Sequence, residues 1–152
     1  MHKTVIADPS CFILLDNINL LFILENLYKT VITTPEVVSE FGKSLPAWVE
    51  IQTPINTSLV KELSIELDAG ESSAIVLATE LLNCILIIDE SKARKFAKEL
   101  NIPFTGTLGV LIRAKLEGII PSLIPVIESI KNTNFRMSDS LIDEALKATG
   151  EL

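Results

Sequence analysis

Four acidic side chains fall where an α/β chain concentrates its chemistry. Asp8 ends the apolar run Thr4-Val5-Ile6-Ala7 just before Pro9, and Asp89 ends the run Ile85-Leu86-Ile87-Ile88. Glu40 lies on the helix expected after Val31-Ile32-Thr33, and Glu71 opens the helix that precedes the strongest strand. Ligands of open α/β sheets bind beyond the carboxyl ends of the strands. Asp8 and Asp89 are predicted at such ends, and crossovers can bring Glu40 and Glu71 to the same edge. Crowded carboxylates repel one another unless protons or cations intervene, and hard oxygen ligands with open positions suit Mg2+ or Mn2+. Such ions can clamp a phosphodiester and lower the pKa of an attacking water.

Each acid also has a purely structural explanation. Asp8 before Pro9 can serve as a turn residue, and Glu40 can be one of two solvated acids on a short helix. Asp68-x-x-Glu71 has the form of a capping box, and Asp89 can cap the helix that follows it. His2, the single histidine, lies at the N-terminus, so histidine-based catalysis and Ser-His-Asp triads have almost nothing to use. Neither GxxxxGK[ST] nor GxGxxG is present, and Thr105-Gly106-Thr107-Leu108-Gly109 reads as a helix start. Cys11 and Cys84 stand far apart in apolar stretches, which excludes a disulfide framework or a structural zinc site as an expectation.

With 13 basic against 20 acidic residues the net charge is −7, which argues against a surface that attracts nucleic acid everywhere. A phosphate-bearing partner then needs a local basic patch or bound cations. Lys92, Arg94, Lys95 and Lys98 supply one basic helix face next to Asp89, either solvated or in contact with a nucleic-acid backbone.

The elements that must position these groups are short strands alternating with helices. Strands are expected at 4–7, 31–33, 85–88 and 103–105, with a short edge strand within 47–53 between Pro46 and Pro54. Helices are expected at about 11–27 with a break near Asp16-Asn17-Ile18-Asn19, from Thr34-Pro35 to Gly42, and from Asn56 or Thr57 to about Leu67. Others follow from Asp68 to about Leu82 and over 91–100, 107–117, 123–131 and 138–148. This alternation implies right-handed crossovers and a parallel sheet of about four to five short strands between helices. At 152 residues with 48% hydrophobic side chains, a single domain over 1–152 is expected. The apolar stretch 11–24 is interrupted by Asp16, Asn17 and Asn19, so it reads as buried helix and no membrane partner is expected. Met1-His2-Lys3 runs directly into a strand, and a cytoplasmic protein is the expectation.

Taken in order, strand-terminal Asp8, Pro35 to Glu40, Leu67 to Ala78 with Gly70-Glu71-Ser72-Ser73-Ala74-Ile75, Ile87-Ile88-Asp89-Glu90 and Thr105-Gly106-Thr107-Leu108-Gly109 resemble the PIN-domain nucleases. More narrowly they resemble the prokaryotic PIN-like branch of toxin-like, nucleic acid-binding proteins. The resemblance covers roughly 4–118 by motif and the helical part 119–152 more weakly. It implies a three-layer α/β sandwich, a Mg2+ or Mn2+ site, and cleavage of single-stranded RNA. The catalytic and metal-binding acids it implies are Asp8, Glu40, Glu71 and Asp89, with Glu90 and Thr105 as accessory candidates. It also implies RNA as substrate and a small antitoxin protein as partner, with a homodimer as a further candidate assembly. The chain departs from the pattern at Glu71, where most PIN nucleases have Asp, and at Asp89-Glu90, where this branch often has two aspartates. The rival expectation is a PIN-like module that binds RNA or protein without turnover.

Overall fold

The computed structural model describes residues 4–152, and His2 lies outside the described residues. The chain runs β1 (Thr4–Ala7), α1 (Pro9–Asn17), α2 (Phe22–Leu27), β2 (Thr30–Thr33), α3 (Pro35–Phe41), β3 (Val49–Ile51), α4 (Thr57–Leu63), α5 (Ala69–Glu80), β4 (Cys84–Ile87), α6 (Ser91–Glu99), β5 (Phe104–Thr105), α7 (Thr107–Leu116), α8 (Ile124–Lys131) and α9 (Asp139–Ala148). The five strands form one sheet in the order β3-β2-β1-β4-β5. Every pairing is parallel, with Val5 opposite Val31 on one side and Ile85 on the other. This is the α/β sandwich of a parallel sheet between helices that the alternation predicts.

Side chains on successive strand residues point to opposite faces, so a sheet covered by helices on both sides needs an apolar residue at every central position. On one face Val5, Ala7, Val31 and Ile87 pack with Phe12 and Leu15 of α1, Leu24 of α2 and Leu111 of α7. On the other face Ile6, Ile32, Leu86 and Ile88 pack with Leu63, with Ile75 of α5 and with Ala93 and Ala97 of α6. The short edge strand between the two prolines is β3, and the Gln52 N–H extends its pairing to Thr33 O at 2.9 Å.

Several boundaries differ from expectation by one or two residues, and one by more. The helix begun by Asn56 ends at Leu63 rather than Leu67, where both the Ser64 N–H, at 3.0 Å, and the Ser64 hydroxyl, at 2.7 Å, donate to Val60 O. Strand β4 sits one residue earlier than its apolar run suggests. Asn19, inside the expected break, takes φ 60°, a left-handed conformation that asparagine tolerates. Among the described residues no helix is long and apolar enough to cross a membrane.

Strand order fixes where chemistry can happen. The chain passes from β1 outward through β2 to β3 and then returns to the opposite side of β1 as β4. The order therefore reverses between β1 and β4, and the crevice beyond their carboxyl ends is the expected ligand position. Asp8 and Asp89 follow those two strands.

Candidate metal centre

Asp8 is placed by the sheet and by the helix it starts. Its N–H donates to Ile87 O at 3.2 Å, tying the end of β1 to β4. Thr33 Oγ1 donates to the neighbouring Ala7 O at 2.9 Å from the β2 side. With Pro9 at the first helical position, the Asp8 side chain caps α1 by accepting from the Cys11 N–H at 3.0 Å. The turn explanation for Asp8 is thus correct as far as it goes, but a cap does not require burial, and Asp8 is only 1% exposed.

Its companion is Asp89. Ser10 Oγ lies 2.9 Å from Asp89 Oδ2 and 3.1 Å from Asp8 Oδ2, so one hydroxyl bridges the two acids. Asp89 also accepts from Thr107 N at 2.8 Å and from Thr107 Oγ1 at 2.6 Å. Helix α7 begins at Gly106, which has no side chain to cap it, and the Asp89 carboxylate takes up a first-turn N–H in its place. A Cβ at Gly106 would run into the Arg94 guanidinium and stand 3.0 Å from Asp89 Oδ1, so a larger residue there requires the Arg94 side chain to move.

The expectation that Asp89 caps the following helix is therefore corrected. Glu90 caps α6, accepting from the Ala93 N–H at 3.1 Å, which leaves Asp89 on the sheet edge facing Asp8. Glu71 lies in the first turn of α5, where Asp68 caps the helix by accepting from the Glu71 N–H at 2.9 Å. Glu40 Oε1 accepts from the Gly70 N–H at 2.8 Å, and a Cβ at Gly70 would meet Pro9 Cγ at 2.5 Å. Glu40 and the start of α5 thus pack at the same edge as Asp8. Among the described residues, no three His, Cys, Asp or Glu side chains gather closely enough to hold one ion. The structure brings Asp8 and Asp89 into one hydrogen-bonded unit, with Glu71 and Glu40 flanking it.

The electrostatics single out the same pair. Burial pushes the Asp8 carboxyl up to about 8, with the Asp89 charge adding to it, the Cys11 N–H and the Ser10 hydroxyl opposing it, and the Glu71 charge adding a little more. Burial likewise raises Glu71 to about 7, helped by the charges of Asp68 and Glu90. Glu40 moves up through burial, with the Gly70 N–H opposing. A protonated Asp8 can donate to Ser10 Oγ while Ser10 donates to Asp89. Among the described residues the ion pairs are Lys43–Asp16, Arg113–Glu117 and Lys131–Glu128, so none of these acids is paired with a basic side chain. An unpaired, all-oxygen carboxylate couple with Asp8 buried and Asp89 partly exposed is a donor set that fits Mg2+ or Mn2+, since a divalent ion would offset both the burial and the Asp89 charge that favour a proton on Asp8.

The basic residues separate into two groups. Arg94 turns inward, with Nε donating to Ile88 O at 2.9 Å and its guanidinium carbon 5.5 Å from the centre of the Phe104 ring. Lys92, Lys95 and Lys98 stay exposed on the outer face of α6. Thr105 does not reach the acids. Its hydroxyl lies 3.5 Å from Gly106 O, and it is Thr107, two residues later, that holds Asp89. Ser10 and Thr107 join the site without having been expected there. Thr107 is signalled by its place in the segment Thr105 to Gly109 and by the uncapped helix start at Gly106; Ser10 has no signal beyond its place two residues after Asp8.

A protein-family model described as a PIN domain matches residues 4–151. Neither the curated proteins nor the solved structures yield a match.

Proposed function

The chain belongs to the PIN-domain family, and from that premise we propose that it is a metal-dependent ribonuclease acting on single-stranded RNA, with Asp8 and Asp89 as its central metal ligands. PIN domains are generally nucleases and typically use divalent metals, so nuclease-type chemistry is the family's common ground. The strongest support is the couple of buried Asp8 and partly exposed Asp89 at the switch point of the sheet, bridged by Ser10 and without a basic partner among the described ion pairs. When bound there, Mg2+ or Mn2+ supplies charge neutralisation at the phosphodiester and an acidified water.

The chain's own groups do the rest. Thr107 N and Oγ1 orient the Asp89 carboxylate, and the Cys11 N–H does the same for Asp8. Glu71, half-buried and within the electrostatic reach of Asp8, completes the acidic set, and Glu40 holds the start of α5 in place. Lys92, Lys95 and Lys98 provide outer contacts for the RNA backbone, with Arg94 nearer the acids. In the cell, the proposed role is that of a cytoplasmic toxin silenced by a small antitoxin protein. A second reading, a PIN-like module that binds RNA or protein without turnover, is favoured by the failure of a third acid to gather with Asp8 and Asp89 among the described residues.

Incubating the purified protein with labelled unstructured and duplex RNA in Mn2+, Mg2+ or EDTA separates the two. Cleavage of the unstructured strand with either metal and none in EDTA is expected. Binding without cleavage in all three conditions would make the chain a module.

A further inference from the structure

Two cavities flank the acid pair, and one aromatic ring lines both. The first, about 530 Å³, reaches from Ser10 along Ile13 and Asn17 of α1 to Asn132 and Asn134 in the turn after α8. The second, about 430 Å³, reaches from Asp89 and Arg94 across Leu108 and Ile112 of α7 to Arg136 and Glu144. Phe135 lines both cavities, half-buried, and its N–H donates to Thr133 Oγ1 at 3.1 Å. Both volumes fall in the range of small-molecule sites, about 300–1,000 Å³.

The chemistry of the walls differs on the two sides. Amide groups of Asn17, Asn132 and Asn134 offer paired donors and acceptors of the kind a base edge requires. The other side offers an apolar floor with the guanidinium groups of Arg94 and Arg136, and the exposed Glu144 carboxylate can accept from an exocyclic amino group. Aromatic faces and arginine planes bearing amide neighbours are what splayed, unpaired bases stack on, whereas paired bases in a duplex cannot enter. Cations on one flank of a carboxylate couple complement a phosphate chain that continues beyond the phosphate at the acids.

We propose that Phe135 is a stacking platform dividing the RNA groove, with one nucleobase on its Ser10 side and the adjacent one on its Arg94 side, the phosphate between them at Asp8 and Asp89. This rests on the ribonuclease reading for its substrate class, and it makes recognition depend on bases without demanding one sequence, because every base has a stacking face.

The test is binding rather than turnover. Fluorescence anisotropy in Ca2+ compares a short single-stranded oligoribonucleotide with an abasic strand of equal length, for wild type, Phe135→Leu and Phe135→Tyr. Leucine keeps the apolar packing of Phe135 and removes the ring; tyrosine keeps the ring. Wild type and Phe135→Tyr are expected to favour the base-bearing strand, while Phe135→Leu loses at least about fivefold on that strand and nothing on the abasic one. Unchanged binding in Phe135→Leu, or equal loss on both strands, overturns the proposal and leaves a packing role. If base-dependent binding is present but Mn2+ never brings about cleavage, the ribonuclease reading fails and the platform stands. Metal-dependent cleavage by a Phe135→Leu protein that binds as wild type does the reverse.

Discussion

Asparagine in place of Asp8 or Asp89 is expected to lower Mn2+-dependent RNA cleavage by several orders of magnitude while the fold stays intact. The substitutions are nearly isosteric, and Asp8→Asn retains a carbonyl oxygen that accepts from the Cys11 N–H, so the cap of α1 survives. What disappears is the charge that draws a divalent cation into a site from which the net charge of −7 would otherwise repel phosphate. Asp89→Asn is the harsher of the two. Asp89 accepts from both the N–H and the hydroxyl of Thr107 through different oxygens, and an amide can turn its single oxygen toward only one of them. Cleavage assays with matched melting curves check this. Undiminished activity in both variants removes the couple from the chemistry.

Asp8→Asn should at the same time make the protein more stable in EDTA at pH 8. The carboxyl of Asp8 sits at about 8 in the folded chain against an ordinary value of 3.8, chiefly through burial, so the folded state holds a proton that the unfolded chain releases. Such a group contributes its full stability below the unfolded value and loses it as pH rises through the folded one. Metal-free wild type is therefore expected to lose stability steadily between pH 4 and 8. At about 1.36 kcal/mol for each tenfold change in proton affinity, the loss from Asp8 amounts to several kcal/mol, or on the order of ten degrees of Tm for a chain of this size. Glu71, raised to about 7, adds to the fall over the same interval, by less because it is half-exposed and solvent screens its charge. The Asp8→Asn side chain is neutral at every pH, so the variant's profile is flatter and crosses above the wild type. Saturating Mn2+ restores the wild type, since a ligand bound to the native state alone adds about 2.7 kcal/mol at 100 times its Kd. It does little for the variant. Parallel pH profiles for the two proteins in EDTA would show that Asp8 is ionised in the fold at no cost. The same group is thus held at the expense of stability and for the sake of the site, as is common where function needs crowded charge.

Much of this arrangement was legible because it depends on local order. Runs such as Val31-Ile32-Thr33 and Ile85 to Ile88 are apolar without alternation, which only a sheet covered on both faces accommodates, and Thr34-Pro35 and Asp68 start their helices as local capping chemistry dictates. Other features depend on which element lies beside which. With Asp89 and Glu90 both preceding Ser91, sequence alone could not say which acid caps α6. The choice follows from the Ile88 N–H bonding to Thr105 O, which keeps Asp89 on the sheet edge and passes the cap to Glu90. Thr107 matters because α7 starts opposite the end of β4, and Ser10 because one turn of α1 faces Asp89 across the β1–β4 boundary. Pairings separated by 79 and 18 positions leave no periodic trace. The grouping of four acids expected from the strand ends resolves into a tight pair with two flanking carboxylates, one of which, Glu40, is engaged by the Gly70 N–H.

The ribonuclease reading of this chain depends on Asp8 and Asp89 holding a divalent cation together. Titrating Mn2+ into the protein and counting bound ions by the loss of free-Mn2+ electron paramagnetic resonance signal tests this without reference to any substrate. Wild type is expected to bind Mn2+ more tightly as pH rises through 8, as the proton leaves Asp8, with Mg2+ competing for the same site. The Asp8→Asn/Asp89→Asn double variant should lose that binding entirely. A double variant that binds Mn2+ with wild-type affinity and stoichiometry would contradict the account.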